Sequence, residues 1–152
     1  MRLEDLKEVM AIERSSFMTA WSERMFMESL ILSACHNLVA RTEVENGQEV
    51  VGYIEFLIVV DEVYVRNIAV REDSRMRGVA SKLMVAMMKI SHHQGVERAT
   101  LESRRSNTSA VKLYEKFGFV VKGVRPLYYS DSGEDALIMW ADLEESFKRV
   151  GV

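Results

Sequence analysis

The amino-acid sequence predicts an α/β (α+β) fold, in which a mixed, mostly antiparallel twisted sheet with a central parallel pair of strands is flanked by about four helices. Apolar residues recur at helical spacing in several stretches, and runs rich in β-branched residues lie between them. One strand leads through a helix into another strand, a crossover that requires parallel pairing, whereas the other strands are joined as hairpins. A length of 152 residues suffices for one core, so we expect a single domain over residues 1–152.

The helices are predicted from apolar periodicity and from residues that cap helix ends. The third helix has the clearest boundaries, because it follows a β-rich run and is closed by Gly95. The predicted helices are Leu3–Ile12, a second capped by Ser22 and carrying Met25 to Leu30, Val79 to about Gln94, one that Asn107 caps and Gly118 ends, and a short terminal one over 143–149.

The strands are predicted from β-branched and aromatic runs that turn residues separate. The residues Glu45-Asn46-Gly47-Gln48 contain Asn-Gly, the strongest short hairpin signal, and Ser-Asp-Ser-Gly marks the last hairpin. The predicted strands are Leu38–Val44, Val50–Val60, Val63–Val70, Ala99–Ser103, Phe119–Tyr128 and Asp135–Asp142. A crevice is expected where the two parallel strands diverge, between Ile68-Ala69-Val70 and Leu101-Glu102-Ser103.

Composition and charge exclude several classes of function. The net charge of −3 argues against general affinity for nucleic acid, and the run Phe56–Val60 is too short to span a membrane. No signal-peptide pattern opens the chain, and the single cysteine, Cys35, fits a reducing cytoplasm, where we expect it to be a small buried apolar residue. The three histidines lack metal-ligand spacing, so no metal is assigned.

The turn Arg75-Met76-Arg77-Gly78-Val79-Ala80 joins the third predicted strand to the third helix. Free backbone N–H groups, the helix dipole and the arginines can seat a phosphate or pyrophosphate, although Gly78 can also serve only a tight turn between solvated arginines. The turn is neither a Walker loop nor a three-glycine dinucleotide fingerprint. It is similar to the Arg/Gln-x-x-Gly-x-Gly/Ala signature of the GNAT acetyltransferases, which implies that the loop holds the pyrophosphate of acetyl-CoA.

The resemblance covers nearly all of Ile12 to Met139. Segments of this chain resemble the RimI-type protein N-terminal acetyltransferases of that superfamily. The resemblance implies a GNAT fold with its parallel strands splayed around acetyl-CoA. It also implies that the substrate is a protein or peptide N-terminus, with a ribosomal protein as one candidate. One departure is that GNAT chains usually open with a strand, whereas this chain starts almost inside a helix. The matching segments are Trp21-Ser22-Glu23, Asn67 to Val70, Arg75 to Ala80, Leu101-Glu102, Ser106-Asn107, Leu113-Tyr114-Glu115, Phe117-Gly118-Phe119, Tyr128-Tyr129 and Gly133 to Ala136.

The resemblance implies that Glu102 is the general base and Tyr114 the acid that protonates the CoA thiolate, with direct attack and no acyl-enzyme. The residues alone leave other roles open. Glu102 can be a surface glutamate paired with Arg104 or Arg98, and Tyr114 can be a core aromatic residue of an amphipathic helix.

Further roles are implied for residues around the crevice. One N–H, most plausibly that of Ile68, would polarise the thioester carbonyl. Trp21 and Met18 can form one wall of a substrate cleft, while Phe17 packs on the core; Tyr64 can also be purely structural. Acetyl-CoA would be bound by Ile68, Ala69, Val70, Arg75, Met76, Arg77, Gly78, Val79, Ala80, Ser81 and Asn107, and the substrate by Trp21, Tyr64, Tyr128 and Tyr129.

Two alternatives to an N-α-acetyltransferase stay open at this stage. One is a GNAT enzyme that acetylates a small amine or a lysine side chain. The other is a catalytically silent CoA-binding module, against which the pair Glu102 and Tyr114 argues.

Overall fold

The computed structural model describes Met1–Gly151, and within these residues it contains six strands and five α-helices. The fifth helix is the short terminal one; it begins after Asp142, whose carboxylate accepts the Glu145 N–H at 2.9 Å. The helices are α1 Leu6–Ser16, α2 Glu23–Ile31, α3 Val79–His93, α4 Thr108–Lys116 and α5 Leu143–Val150. The strands are β1 Cys35–Val44, β2 Gly47–Val59, β3 Glu62–Val70, β4 Arg98–Arg104, β5 Val120–Tyr129 and β6 Glu134–Asp142.

The sheet has the strand order β1-β2-β3-β4-β6-β5. β3 and β4 are parallel, from the pair Glu62–Arg98 to the pair Val65–Leu101, because α3 carries the chain from one strand to the next. The β1–β2, β4–β6 and β5–β6 pairs are antiparallel, so the predicted mixed sheet with a parallel pair is confirmed. β4 continues to Arg104, and Glu102 is therefore the first residue beyond the parallel register.

The ends of the elements differ from the predictions by a few residues. The β1–β2 hairpin closes through only Glu45 and Asn46, because Val44 already pairs with Gly47, whose φ of 133° suits glycine. Ser22 caps α2 and Asn107 caps α4, as predicted; their side chains accept the N–H groups of Met25 and Ala110. Cys35 is half-buried at the start of β1, not fully buried.

The chain forms two compact units, each made of two segments. The first comprises Met1–Leu57 and Asn67–Met87. A fully buried carboxylate, Glu13, links its segments: it accepts the Tyr53 hydroxyl, the Trp21 N–H at 2.6 Å and the Asn67 amide at 3.1 Å. The Trp21 ring packs on Phe26 at 5.2 Å between centroids. The core consists of Leu6, Val9, Met10, Ile12, Phe26, Val50, Tyr53 and Ala69, with Phe17 and Trp21 packed against it.

The second unit comprises Ile58–Arg66 and the chain from Met88 onwards. Its buried apolar residues alternate along β3, β4 and the second half of β6, as in strands with one face turned to the core. Examples are Val63, Val65, Ala99, Leu101, Ala141 and Met139, together with Phe117 and Phe119 after α4.

Candidate functional site

The first part of the candidate site is the loop between β3 and α3, which lies in the first unit. Arg71 leaves β3 with its N–H bonded to the Val51 carbonyl at 2.8 Å. Its guanidinium pairs with Glu49 at 2.8 Å and Asp73 at 2.7 Å, so this arginine is engaged by carboxylates. A short 3₁₀ turn, Glu72–Ser74, which the sequence analysis did not predict, then leads into the loop.

The loop ends on the amino terminus of α3. Gly78 has a φ of 80°, and the first helical bond runs from the Lys82 N–H to the Gly78 carbonyl at 3.0 Å. The N–H groups of residues 79–81 precede this bond and so have no helical carbonyl to pair with. Arg75 donates to the Val70 carbonyl at 3.0 Å, and the first turn of α3 contains no acidic residue. The loop is therefore compatible with an anion.

Gly52 of β2 lies close to the residues at both ends of this loop. A Cβ at Gly52 would lie 3.0 Å from the Ala69 carbonyl oxygen, 3.1 Å from Val79 Cγ1 and 3.3 Å from Val70 Cγ2. The end of β3 and the first residue of α3 thus pack directly against the backbone of Gly52, which has no side chain. Within the described part of β3, Ala69 and Val70 are buried and Ile68 is half-buried.

The second part of the candidate site surrounds Glu102 and lies in the second unit. The side chain of Glu102 is 10% exposed; its Oε2 accepts the Tyr64 hydroxyl, and its Oε1 pairs with Arg125 Nε at 3.1 Å. The alternative pairings with Arg104 or Arg98 do not occur, because Arg104 pairs with Asp131 and Arg98 with Glu62. A carboxylate has about four acceptor lone pairs, so Glu102 retains capacity for a substrate amine or a water.

The strand register explains why Arg125 reaches Glu102. Glu102, Ile138 and Gly123 form one row across β4, β6 and β5, and Arg125 lies two residues farther along β5, on the same face. Its own row contains only the small Ala136 between it and β4. The side chain can therefore cross β6 diagonally.

Three tyrosines of the second unit keep their protons at neutral pH. Burial, then the hydrogen bond to Glu102, raises the pKa of Tyr64. Burial raises the pKa of Tyr129 to about 12, although Arg104 opposes the shift. Burial also raises the pKa of Tyr114, whose ring packs on Phe119 at 6.0 Å. Tyr114 is thus a packed aromatic residue whose hydroxyl stays protonated, and therefore neutral, at neutral pH.

The β5–β6 hairpin holds the remaining predicted tyrosines. Tyr128 and Tyr129 meet edge to face at 5.2 Å. The Arg104 guanidinium lies 3.9 Å from the Tyr129 ring centroid and also pairs with Asp131 at 2.6 Å. Arg104 therefore ties the end of β4 to both Tyr129 and the hairpin turn.

Trp21, a predicted substrate residue, belongs to the first unit, where it is packed against the core, while Met18 beside it is exposed. Across residues 1–151 no group of three or more His, Cys, Asp or Glu side chains is arranged to hold a metal ion. None of the helices described is both long and apolar enough to cross a membrane.

The model of the acetyltransferase (GNAT) family matches residues 6–119, and this chain belongs to that family. It is 37% identical over 146 residues, covering 95% of this chain and 94% of the relative, to a Bacillus subtilis protein named "Putative ribosomal protein bS18-alanine N-acetyltransferase". It is 34% identical to an N-alpha-acetyltransferase of Sulfurisphaera tokodaii, over 93% of this chain and 90% of that one.

Among solved structures, the crystal structure of the ribosomal-protein-S18-alanine N-acetyltransferase from Escherichia coli is similar, with a TM-score of 0.83 and 29% identity over 94% of this chain and 90% of that chain. The GNAT fold expected from the loop signature is thereby confirmed. Acetyltransferases of this family use acetyl-CoA as the acetyl donor.

Sequence reasoning missed Arg125 and Glu13. No sequence motif contains Arg125. Its contact with Glu102 depends on the register of β5, which is irregular both before and after Arg125. Glu13 could have been noticed as a charged residue adjoining the apolar stripe of α1, directly after the buried Ile12.

Proposed function

We propose that this chain transfers the acetyl group of acetyl-CoA to the free α-amine of a protein or peptide N-terminus. Family membership and the names of the relatives support the reaction class, and alanine-terminated ribosomal peptides are the first substrates to test. The observation that carries the proposal is Glu102, a little-exposed carboxylate just beyond the parallel register, held between Tyr64 and Arg125.

In the proposed mechanism Glu102 is the general base. An N-terminal α-amine has a reference pKa near ~8, so most of it must lose a proton before it can attack. Glu102 accepts that proton, directly or through a water. The amine nitrogen then bonds to the thioester carbonyl carbon, the carbon–sulfur bond breaks, and the thiolate takes a proton from the Tyr114 hydroxyl. The nitrogen gives up the proton that the amide does not keep, and this proton restores the Tyr114 hydroxyl.

The loop at the amino terminus of α3 is the proposed pyrophosphate seat. Its N–H groups at residues 79–81, with Arg75 and Arg77, suit the two phosphate charges, and Met76, Gly78 and Val79 to Ser81 shape the turn. Ile68 to Val70 are proposed to pair with the pantetheine arm, and the Ile68 N–H to polarise the thioester. Asn107 is already occupied as a cap, so its contact with the arm is the weaker assignment.

The test is a peptide panel that varies the first two residues, with acetyl-CoA and three proteins: wild type, Glu102→Gln and Tyr114→Phe. We expect kcat to fall about 10²- to 10⁴-fold in each variant while acetyl-CoA binding is kept. Far-UV circular dichroism and Tm confirm folding, which matters for the buried Tyr114. Equal rates in all three proteins would remove both roles.

Parallel reactions separate the alternatives. Turnover of polyamines or lysine side chains in preference to N-termini would favour the small-amine or lysine enzyme. Acetyl-CoA binding without turnover of any amine would favour a silent CoA-binding module.

A further inference from the structure

Glu13 is a fully buried carboxylate to which the proposed mechanism gives no role. It lies in the last turn of α1, and both of its carboxylate oxygens accept hydrogen bonds. Oε1 accepts the Trp21 N–H at 2.6 Å, whereas Oε2 accepts the Tyr53 hydroxyl and, at 3.1 Å, the Asn67 side-chain amide. Burial of a carboxylate is costly unless it is hydrogen-bonded, and here the three donors come from three separate segments of the first unit. Glu13 therefore fixes these segments to α1.

One of the segments is the loop between α1 and α2, which contains Trp21. Glu13 holds the backbone of Trp21, and the Trp21 ring packs on Phe26 at 5.2 Å between centroids. Phe26 in turn meets Tyr53 edge to face at 5.5 Å, and the Tyr53 hydroxyl donates to Glu13. The contacts form a closed circuit, so Trp21 is held at both its ring and its backbone. Loss of the Glu13 carboxylate would release the backbone.

A second segment is the end of β3. This strand pairs with β4 only as far as Val65, yet it continues to Val70. Asn67 is 8% exposed, and its side-chain amide donates to Glu13. The Asn67 carbonyl and the Ile68 N–H belong to one planar peptide group, so the contact that holds Asn67 also restrains the direction of the Ile68 N–H. That N–H is the proposed donor to the thioester carbonyl.

We propose that Glu13 is a positioning residue, which holds the loop of Trp21 and the end of β3 in the arrangement that acetyl transfer requires. Because Glu13 is fully buried, it acts through Trp21 and Asn67 and not by contact with either substrate. The inference rests on the proposed function, which places the peptide at Trp21 and the thioester at the Ile68 N–H. Misplacement of a reacting group by about 1 Å can cost about 10²-fold in rate, so a carboxylate outside the site can control turnover.

The experiment compares Glu13→Ala with Glu55→Ala as a matched control. Glu55 is also a fully buried carboxylate of the first unit, and its Oε1 accepts the Ser29 hydroxyl at 2.6 Å. Ser29 belongs to α2, so this bond joins neither the Trp21 backbone nor the end of β3. Both substitutions remove a buried carboxylate and its hydrogen bonds, and both should lower Tm.

Two further variants separate the contacts of Glu13. Asn67→Ala removes only the bond to β3, and Glu13→Gln keeps the length of the side chain and one carbonyl oxygen. Steady-state kinetics are measured with acetyl-CoA and a peptide that the wild type acetylates. Because the chain has two tryptophans, the fluorescence of Trp21 in a Trp140→Phe background reports on the loop directly.

We expect Glu13→Ala to lower kcat/KM about 10- to 100-fold, through a higher peptide KM and a lower kcat, and to change the Trp21 emission. Asn67→Ala should lower kcat but keep the peptide KM, because the Trp21 N–H stays bonded to Glu13. Glu13→Gln should recover most of the loss, since its amide oxygen can accept the Trp21 N–H while its NH₂ group donates to the Tyr53 hydroxyl. Glu55→Ala should preserve kcat/KM and the Trp21 emission.

A loss of kcat/KM in Glu13→Ala no larger than in Glu55→Ala would overturn this inference while leaving the acetyltransferase intact. A Glu13→Gln as impaired as Glu13→Ala would overturn it too. If Glu13→Ala does not fold, Asn67→Ala decides: an unchanged kcat overturns the inference, and a lower kcat with an unchanged peptide KM supports it. A wild type that acetylates no peptide would instead overturn the proposed function, and this inference with it.

Discussion

Replacement of Gly52 by alanine tests how closely the loop between β3 and α3, the proposed pyrophosphate seat, packs on the sheet. The added Cβ would lie 3.0 Å from the Ala69 carbonyl oxygen and 3.1 Å from Val79 Cγ1. Overpacking of this kind costs about 1–3 kcal/mol, partly offset by about 0.5–1 kcal/mol because alanine loses less backbone entropy than glycine on folding. The net loss is therefore about 0–2.5 kcal/mol, with a middle value of about 1 kcal/mol that corresponds to a fall in Tm of about 2–4 °C at this size.

The assay is thermal unfolding combined with an acetyl-CoA binding titration. We expect Gly52→Ala to lower Tm and to weaken acetyl-CoA binding, because the atoms displaced belong to the end of β3 and the start of α3. Gly123→Ala is the matched control, since its Cβ would meet only Ile138, at 3.5 Å. Adding Val79→Ala should recover part of the loss but not all, because the Ala69 backbone oxygen remains. An unchanged Tm and unchanged binding in Gly52→Ala would refute the reasoning.

Two further predictions concern the second unit and the buried tyrosines. Arg125→Ala should lower kcat/KM about 3- to 10-fold. It should cost at most about 1 kcal/mol of stability, because Arg125 is 56% exposed. Arg125→Lys should recover part of the lost kcat/KM, and steady-state kinetics and denaturant unfolding check both expectations. Burial raises the pKa of several tyrosines in the folded state above the value of about 10 in the unfolded chain. This difference stabilises the fold fully below pH 10, where the unfolded phenol is still protonated. That stability is lost as the pH rises from 10 towards about 12, the pKa of folded Tyr129. Denaturant midpoints and tyrosinate absorbance should therefore change together in that interval. Early tyrosinate absorbance from more than one of the five tyrosines of the folded protein would contradict this; the four tyrosines concerned are Tyr53, Tyr64, Tyr114 and Tyr129.

The local sequence determined the elements and most of their boundaries. Helix caps at Ser22 and Asn107 and the glycine after α3 act through neighbouring backbone groups, so their effect is visible within a few residues. The crossover from β3 through α3 to β4 also follows from element order, because hairpin geometry cannot join parallel strands. The signature Arg75 to Ala80, together with the matching segments between Ile12 and Met139, predicted the family, which the comparison over residues 6–119 confirmed.

Only the tertiary structure decided which side chains meet. The sequence left open that Glu102 pairs with Arg104 or Arg98, whereas in the structure it pairs with Arg125 of another strand. That contact depends on irregular register in β5, and a shift of one residue would turn Arg125 to the opposite face. The left-handed backbone of Leu127, with a φ of 53°, is likewise held by a residue of the facing strand, because Asp135 accepts its N–H. Local sequence determines backbone preference over a few residues, whereas strand register is determined by the packing of several strands together. In this chain the partner of the candidate catalytic Glu102 depends on that register.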